Sequence, residues 1–405
     1  MNRDFLPYGR QTIDDDDIAA VVEVLKSDWL TTGPKVQAFE AAVATRVDAS
    51  HASACSNGTT ALHLAMIGLS VQPGDWVAVP ANTFLATANA VRFVGGEVLF
   101  VDVDPETGLM TRQTLEEALD KTDRKPTGVI PVHFAGQAAD PVGIRELARS
   151  RGMFVVEDAA HAIGVLYEDQ TGTSHSIGAC HHADATTFSF HPVKTITMGE
   201  GGIVTTNDPD IQRRIATARN HNMVSDPAAF EDKAAAFDAG GRPNPWYYEM
   251  AEPGFNFRAT DIQCALGLSQ LDKLDVFLEK RRLLVERYDR LLQDFGGSIR
   301  PLGRVENCRP AWHLYVALID FDGLGVSRAD VMHRLKAQGI GTQVHYRPVC
   351  DQPYYRRRYG KADLPGASSY YQRTLSLPLY PTMMLDDVDR VVEALDQAVR
   401  KRSAA

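Results

Sequence analysis

Cysteine is scarce in this chain. Five occur in 405 residues, at Cys55, Cys180, Cys264, Cys308 and Cys350, an odd number at wide spacing with no CxxC pair. A disulfide framework or a thiolate zinc site is therefore not what organises the chain. His181 and His182 adjoin Cys180, but no second ligand pair stands nearby in sequence, so the segment reads as a polar surface turn. No long basic run occurs, and the formal net charge is -10, which argues against nucleic acid as a main partner. An anionic small substrate stays open, because a pocket can be locally positive on an acidic protein. No apolar run approaches the ~20 residues that cross a bilayer. Met1–Phe5 shows no basic start followed by an apolar stretch; a signal peptide is not expected, and a soluble cytoplasmic protein is. No GxGxxG follows a strand, which argues against a nicotinamide-dependent dehydrogenase. Internal repeats, low-complexity tracts and helix-turn-helix patterns are likewise missing.

What is present is an ordinary globular balance, 44% apolar and 23% charged residues. The length fits two domains, or one large domain with an extension. Residues 15–26 place acids in the first turn of an amphipathic pattern, where the helix dipole favours them. Val36–Val47 returns to helical spacing after the breaker loop Leu30-Thr31-Thr32-Gly33-Pro34. From residue 52 to 206, apolar strand candidates alternate with helix-period segments. The strands are Ala52–Ser56, Trp76–Pro80, Glu97–Val101, Gly128–Val132, Met153–Glu157, Ala185–Phe190 and Ile203–Thr206. The helices are Ala61–Leu69, Thr87–Phe93, Leu115–Leu119 and Ile144–Arg151. This alternation predicts an α/β domain on a largely parallel sheet. Residues 225–253, with Pro227, Pro243, Pro245, Pro253, Gly240-Gly241 and Trp246-Tyr247-Tyr248, read as a long loop rather than a linker. One long helix is expected over Thr260–Phe295, capped at Thr260-Asp261. A strand at Trp312–Ile319, a helix at Ala329–Ala337, a strand at Gly341–Tyr346 and a last helix at Asp386–Arg400 follow. The expected division is a large domain over 1–255, then a linking helix and a small α/β domain over 256–405.

Four features in chain order carry chemistry. The turn Ser56-Asn57-Gly58-Thr59-Thr60 joins a strand to a helix. Its free N–H groups and the helix dipole suit a phosphate, and Thr59 and Thr60 can add hydroxyls; the same residues also serve plain capping. Phe84 follows a strand and either stacks on a flat ring or packs in the core. Asp158 ends a strand in Val155-Val156-Glu157-Asp158-Ala159-Ala160-His161, where ligands of open α/β sheets sit; the alternative is a structural acid. His161 is either a ring contact or a packed histidine. Lys194 lies in Ser189-Phe190-His191-Pro192-Val193-Lys194, ahead of Gly201-Gly202, among apolar and small neighbours that argue against a plain surface lysine. Ser189 can reach a phosphate while Lys194 reaches an aldehyde. A lysine that condenses with an aldehyde and a carboxylate that pairs with a protonated ring nitrogen are what pyridoxal 5′-phosphate requires. Phosphate turn, aromatic, acid and lysine, in that order, describe a pyridoxal phosphate site of the aspartate-aminotransferase fold, fold type I.

These residues resemble, nearly end to end, the DegT/DnrJ/StrS group of nucleotide-sugar aminotransferases. The resemblance extends through Tyr8, Leu30–Pro34, Gly254-Phe255-Asn256-Phe257-Arg258, Trp312-His313-Leu314-Tyr315, Gln343-Val344-His345-Tyr346-Arg347-Pro348 and Leu375-Ser376-Leu377-Pro378. Within the group, His191-Pro192-Val193-Lys194 is most like the PseC type, which aminates C4 of a UDP-linked 4-keto-6-deoxy sugar on the route to pseudaminic acid, a sugar of flagellin and surface polysaccharide. The resemblance implies a large, mostly parallel sheet domain with a smaller C-terminal α/β domain. It also implies pyridoxal 5′-phosphate as cofactor, L-glutamate as donor, and a homodimer with active sites at its interface. Lys194 would hold the cofactor and move the proton, Asp158 would pair with the ring nitrogen, and Phe84 would stack on the ring with His161 beside it. Gly58, Thr59, Thr60 and Ser189 would hold the phosphate, with Asn256 reaching across from the other subunit. Tyr8, Leu30, Thr31, Thr32, Gly33, Gln343, Val344, His345 and Tyr346 would line the sugar-nucleotide pocket. Two alternatives stay open: an aminotransferase for another nucleotide keto-sugar, at C4 or C3, and a non-catalytic regulatory relative that binds the cofactor. Some relatives that remove a sugar hydroxyl carry His at the lysine position, so Lys194 favours transamination. The 225–253 loop departs from the group by its length and could add a substrate or partner contact.

Overall fold

The computed structural model describes residues 5–400. Met1–Asp4, read above for a targeting signal, lie outside the described residues. Seven strands form the main sheet: His51–Cys55 (β1), Trp76–Pro80 (β2), Glu97–Val101 (β3), Pro126–Val129 (β4), Phe154–Asp158 (β5), Ala185–Ser189 (β6) and Gly202–Thr206 (β7). Their order is β1-β7-β6-β5-β4-β2-β3. The run from β6 to β3 is parallel, and β7 runs antiparallel to both β1 and β6. The expected, largely parallel sheet is thus present, with one reversed strand.

Helices cover both faces, which is why the strands are apolar throughout rather than alternating. Val155 packs with Leu115, Ile144 and Leu147 on one side. Its neighbour Val156 packs with Leu62, Leu64 and Val79 on the other. β5 runs one residue further than expected, to Asp158, so Glu157 and Asp158 point to opposite sides of the sheet. The helix Gly58–Gly68 starts three residues earlier than its apolar spacing suggests. A reciprocal capping box sets that start: Asn57 Oδ1 accepts from Thr60 N–H at 2.9 Å, and Thr60 Oγ1 from Asn57 N–H at 3.1 Å.

A second body surrounds a small antiparallel sheet of Ile299–Pro301, Tyr315–Ile319 and Thr374–Leu377. Tyr288, Val331, Leu335, Val388 and Leu395 pack against that sheet, and Leu6 joins them from the N-terminal segment.

Two expectations are corrected. The single helix over Thr260–Phe295 is two, Asp261–Asp272 and Leu274–Leu292, parted at Lys273. The first half packs on Asp15–Leu25 and Pro34–Val47, the second on Leu385–Val399 and the small sheet. One straight helix cannot serve both bodies, and the break at Lys273 lets each half pack on its own surface. Gly341–Tyr346 forms no strand; Gly341 N–H donates to Leu6 O beside an isolated bridge at Ile340, Gln343 bridges Ser376, and the backbone then turns toward the main sheet. Residues 225–253 are a closed excursion: Met223–Val224 pairs with Glu249–Met250, and buried Phe230 packs edge-on against Tyr247 at 4.9 Å. Among the described residues, no helix is long and apolar enough to cross a membrane.

Candidate active site

A cavity of about 800 Å³ opens beyond the carboxyl ends of β1, β2, β5 and β6. Open parallel sheets leave a crevice there, because consecutive crossovers move apart. Lys194 enters it from a tight turn in which its own N–H donates to His191 O at 2.8 Å. Burial lowers the Lys194 amine from 10.5 to about 8, with Asp158 acting the other way. Asp158, 5% exposed at the end of β5, is held by two donors: Thr87 Oγ1 at 2.7 Å and Ala160 N–H at 3.1 Å. Thr83 Oγ1 lies 2.7 Å from Thr87 Oγ1 behind it. These contacts fix the carboxylate's orientation.

At the other end, Gly58 opens a helix of eleven residues, so its backbone N–H groups face the cavity unpaired by the helix. A Cβ on Gly58 would lie 2.7 Å from Ser189 Cβ and 3.0 Å from its hydroxyl; only a glycine leaves that space open. Gly202 serves the same end, since a Cβ there would lie 2.3 Å from Asn57 O. Thr60 Oγ1 is committed to the capping box, where it also donates to Asn57 O at 2.8 Å. Thr59 takes no part in that box. Phe84 is 56% exposed and faces the cavity, so it is not a core residue.

The upper wall is neutral. His161 Nδ1 accepts from Ala135 N–H at 3.4 Å, which places the ring proton on Nε2, 3.3 Å from Tyr346 Oη. Burial, with Lys194 and His345 adding to it, holds His161 well below the usual imidazole range. His313 is held down in the same way by burial and by His161. Burial and Lys194 push His345 down to about 3, and its Nδ1 lies 2.7 Å from Ser376 Oγ. Tyr8 packs against His345 at 5.5 Å. Among the described residues lining the cavity, Lys194 is the one lysine or arginine, opposite Asp158 and Glu200.

The structure brings together Tyr8, Gly58, Thr59, Thr60, Phe84, Asp158, His161, Ser189, Lys194, Gln343, Val344, His345 and Tyr346. Within one chain it does not bring Leu30, Thr31, Thr32, Gly33 or Asn256 to this cavity. Asp261 pins the first group elsewhere, accepting from the N–H groups of Gly33 at 2.8 Å, Lys35 at 3.2 Å and Val36 at 3.1 Å. Asn256 is exposed, and its Oδ1 accepts from Arg258 Nε at 3.0 Å. Thr32 and Arg258 line a separate cavity of about 260 Å³. Sequence reasoning missed Thr83, Thr87, Glu200 and His313. His313 stood inside a quoted motif, but nothing in local spacing marks a histidine that reaches the cavity through tertiary packing.

A profile of the DegT/DnrJ/EryC1/StrS aminotransferase family matches residues 11–396. The chain is 40% identical over 399 residues to the spore coat polysaccharide biosynthesis protein SpsC of Bacillus subtilis (strain 168), covering 98% of this chain and 97% of that protein. Among solved structures it resembles Helicobacter pylori PseC, an aminotransferase involved in the biosynthesis of pseudoaminic acid, with a TM-score of 0.86 at 27% identity over 97% of this chain and 99% of that one. It also resembles Spr1654 of Streptococcus pneumoniae in its PLP and PMP forms, with TM-scores of 0.83 and 0.84 at 27% and 28% identity over 98% of each chain. Pyridoxal 5′-phosphate is the cofactor of this fold type I enzyme. The residues present fit it: a cradle that a Cβ at Gly58 would fill, an amine that burial makes partly neutral, and an oriented carboxylate across the cavity.

Proposed function

We propose that this chain, which belongs to the DegT/DnrJ/EryC1/StrS aminotransferase family, aminates C4 of a UDP-linked 4-keto-6-deoxy sugar with L-glutamate as donor. The product is a 4-amino sugar of the kind used for pseudaminic acid. The observation that carries this reading is the neutral wall of Tyr8, His313, His345 and Tyr346 over one amine of lowered basicity. Rings and uncharged hydrogen-bonding groups suit the faces and hydroxyls of a sugar. The likeness to PseC supports the choice of substrate.

When bound, pyridoxal 5′-phosphate supplies an electron sink for the carbon that loses its proton. Lys194 Nζ is placed to hold it, and would take the Cα proton of the donor and deliver a proton to C4 of the sugar in the second half of the cycle. An amine near 8 is neutral often enough around neutral pH to act as that base. Asp158, oriented by Thr87 and the Ala160 N–H, would pair with the ring nitrogen. Gly58, Thr59 and Ser189 would hold the phosphate, with Thr60 shaping the turn, and Phe84 and His161 would contact the ring. Gln343, Val344, His345, Tyr346 and Tyr8 receive the sugar.

A homodimer completes the charge. The donor brings two carboxylates and the substrate a pyrophosphate, yet no arginine lines the cavity among the described residues. Asn256, Arg258 and Leu30–Gly33 lie together on another face, from which a second copy supplies them to this site. Mixing the inactive variants Lys194→Ala and Arg258→Ala should then recover activity that neither has alone.

The reading is tested by the visible absorbance of the holoenzyme before and after L-glutamate, in wild type and Lys194→Ala. Products from UDP-linked 4-keto and 3-keto sugars are then compared by mass. No glutamate-dependent change in wild type, or the same change in the variant, would sink it; so would exclusive turnover of a 3-keto sugar.

A further inference from the structure

Glu157 and His133 form a buried titratable pair that the reaction above does not use. Glu157 lies on the side of the sheet opposite Asp158, 3% exposed, and His133 is fully buried. Glu157 Oε2 accepts from Thr186 Oγ1 at 2.6 Å, and Oε1 lies 3.3 Å from His133 Nε2. His133 Nδ1 accepts from Ala139 N–H at 3.0 Å, so the ring proton sits on Nε2, on the side of Glu157. That N–H is not aligned well enough for a regular hydrogen bond; the contact is a close electrostatic pairing between two buried groups. Burial pushes Glu157 up, but His133 and Thr186 together outweigh it and hold the acid below the usual range.

The pair grips both ends of a tight loop. His133 N–H donates to Asp158 O at 3.0 Å, Phe134 N–H to Val132 O at 2.9 Å, and Gln137 N–H to Phe134 O at 3.1 Å. Between these bonds Ala135 has φ +59° and Gly136 φ +91°. A non-glycine residue in the left-handed region is strained and persists when its surroundings hold it there. Two bonds leave this loop for the active site. Ala135 N–H donates to His161 Nδ1, and Ala135 O accepts from His313 N–H at 3.0 Å. The two imidazoles so placed stand 4.3 Å apart, and both line the cavity with Lys194.

We propose that Glu157 and His133 are positioning residues: as a buried pair they lock the 133–139 loop, whose Ala135 sets the tautomer of His161 and the placement of His313. This rests on the reading of Lys194 and the cofactor site given above. Glu157 is close to Asp158 in sequence but acts from the far side of the sheet, through the loop and not through the cofactor.

The test compares holoenzyme kinetics of Glu157→Leu and Glu157→Gln, each alone and with His161→Asn. Leucine removes the acceptor, and kcat should fall ~10–100-fold, the cost of a small misplacement of groups that must meet a reacting centre. Glutamine can turn its oxygen to His133 and its NH₂ to Thr186, so kcat should return to within a few-fold of wild type. In the His161→Asn background, Glu157→Leu should add little, because the group it positions is gone. Wild-type kcat in Glu157→Leu, failure of glutamine to rescue, or full additivity with His161→Asn would each overturn the proposal. If Glu157→Leu does not fold, Thr186→Val, which removes one support of Glu157, should show the same dependence on His161 with a smaller fall. A Lys194→Ala control separates the two readings. If it keeps the glutamate response, the site reading fails and the positioning proposal with it. If it abolishes the response while Glu157→Leu turns over normally, positioning alone fails.

Discussion

Replacing Lys194 with methionine should stabilise the cofactor-free enzyme near pH 7 while abolishing its chemistry. In the unfolded chain the amine titrates near 10.5, and burial in the fold lowers it to about 8. Below pH 8 both states carry the charge, and the fold must hold it where water is scarce. The gap between the two values corresponds to at most ~3 kcal/mol, at about 1.4 kcal/mol per pH unit. Lys194 is partly exposed to the cavity, and water there screens part of the cost, so a gain of ~1–3 kcal/mol is expected. Methionine fills a similar length without charge. Between about 8 and 10.5 the unfolded chain binds more protons than the folded one, so wild-type stability rises with pH through that window. The advantage of Lys194→Met should therefore close by about pH 10.5. Urea unfolding of both cofactor-free proteins at neutral and alkaline pH measures it. Adding pyridoxal 5′-phosphate should reverse the order near pH 7, because wild type alone gains the linkage to its lysine. A variant no more stable than wild type at pH 7, or a gap that does not narrow with pH, would refute the reasoning.

Asp158→Asn keeps the shape of the group but removes the charge opposite the ring nitrogen; single-turnover reaction with L-glutamate should slow ~10²–10³-fold with circular dichroism unchanged. Gly58→Ala pushes a methyl group against Ser189, whose Cβ it would meet at 2.7 Å. An overpacking cost of ~1–3 kcal/mol should weaken cofactor retention about 10–100-fold, read by fluorescence titration. Asp261→Ala strips the shared acceptor from the N–H groups of Gly33, Lys35 and Val36. It should lower stability by ~1–3 kcal/mol in urea melts. Asp261→Asn, which keeps one acceptor oxygen, should cost less.

Much of the site was legible because its residues sit beside their own punctuation. Asp158 ends an apolar strand, Lys194 follows one, and Gly58 starts a helix; strand ends and helix starts are written in local spacing. The small sheet was harder. Gly341–Tyr346 has strand-like composition, yet its backbone bonds go to Leu6, Ser376 and the side chain of Asn82. Apolar periodicity records burial and not the identity of the partner, so it cannot separate such a segment from a strand. The break at Lys273 was hidden for the same reason, since helical spacing continues on both sides of it while the surface being packed against changes.

By itself the sequence determined the alternating elements, the family and the cofactor. These follow from short-range patterns and from motifs a few residues long. Tertiary structure alone decided that β7 runs backward between β1 and β6, that His313 and Thr87 reach the site, and that Glu157 and Asp158 divide the sheet between them. It also placed Asn256 and Leu30–Gly33 on a different face from Lys194. Strand direction, sheet order and the meeting of residues far apart in sequence are set by how helices bury both faces of one sheet, a condition on the whole chain that no local window contains.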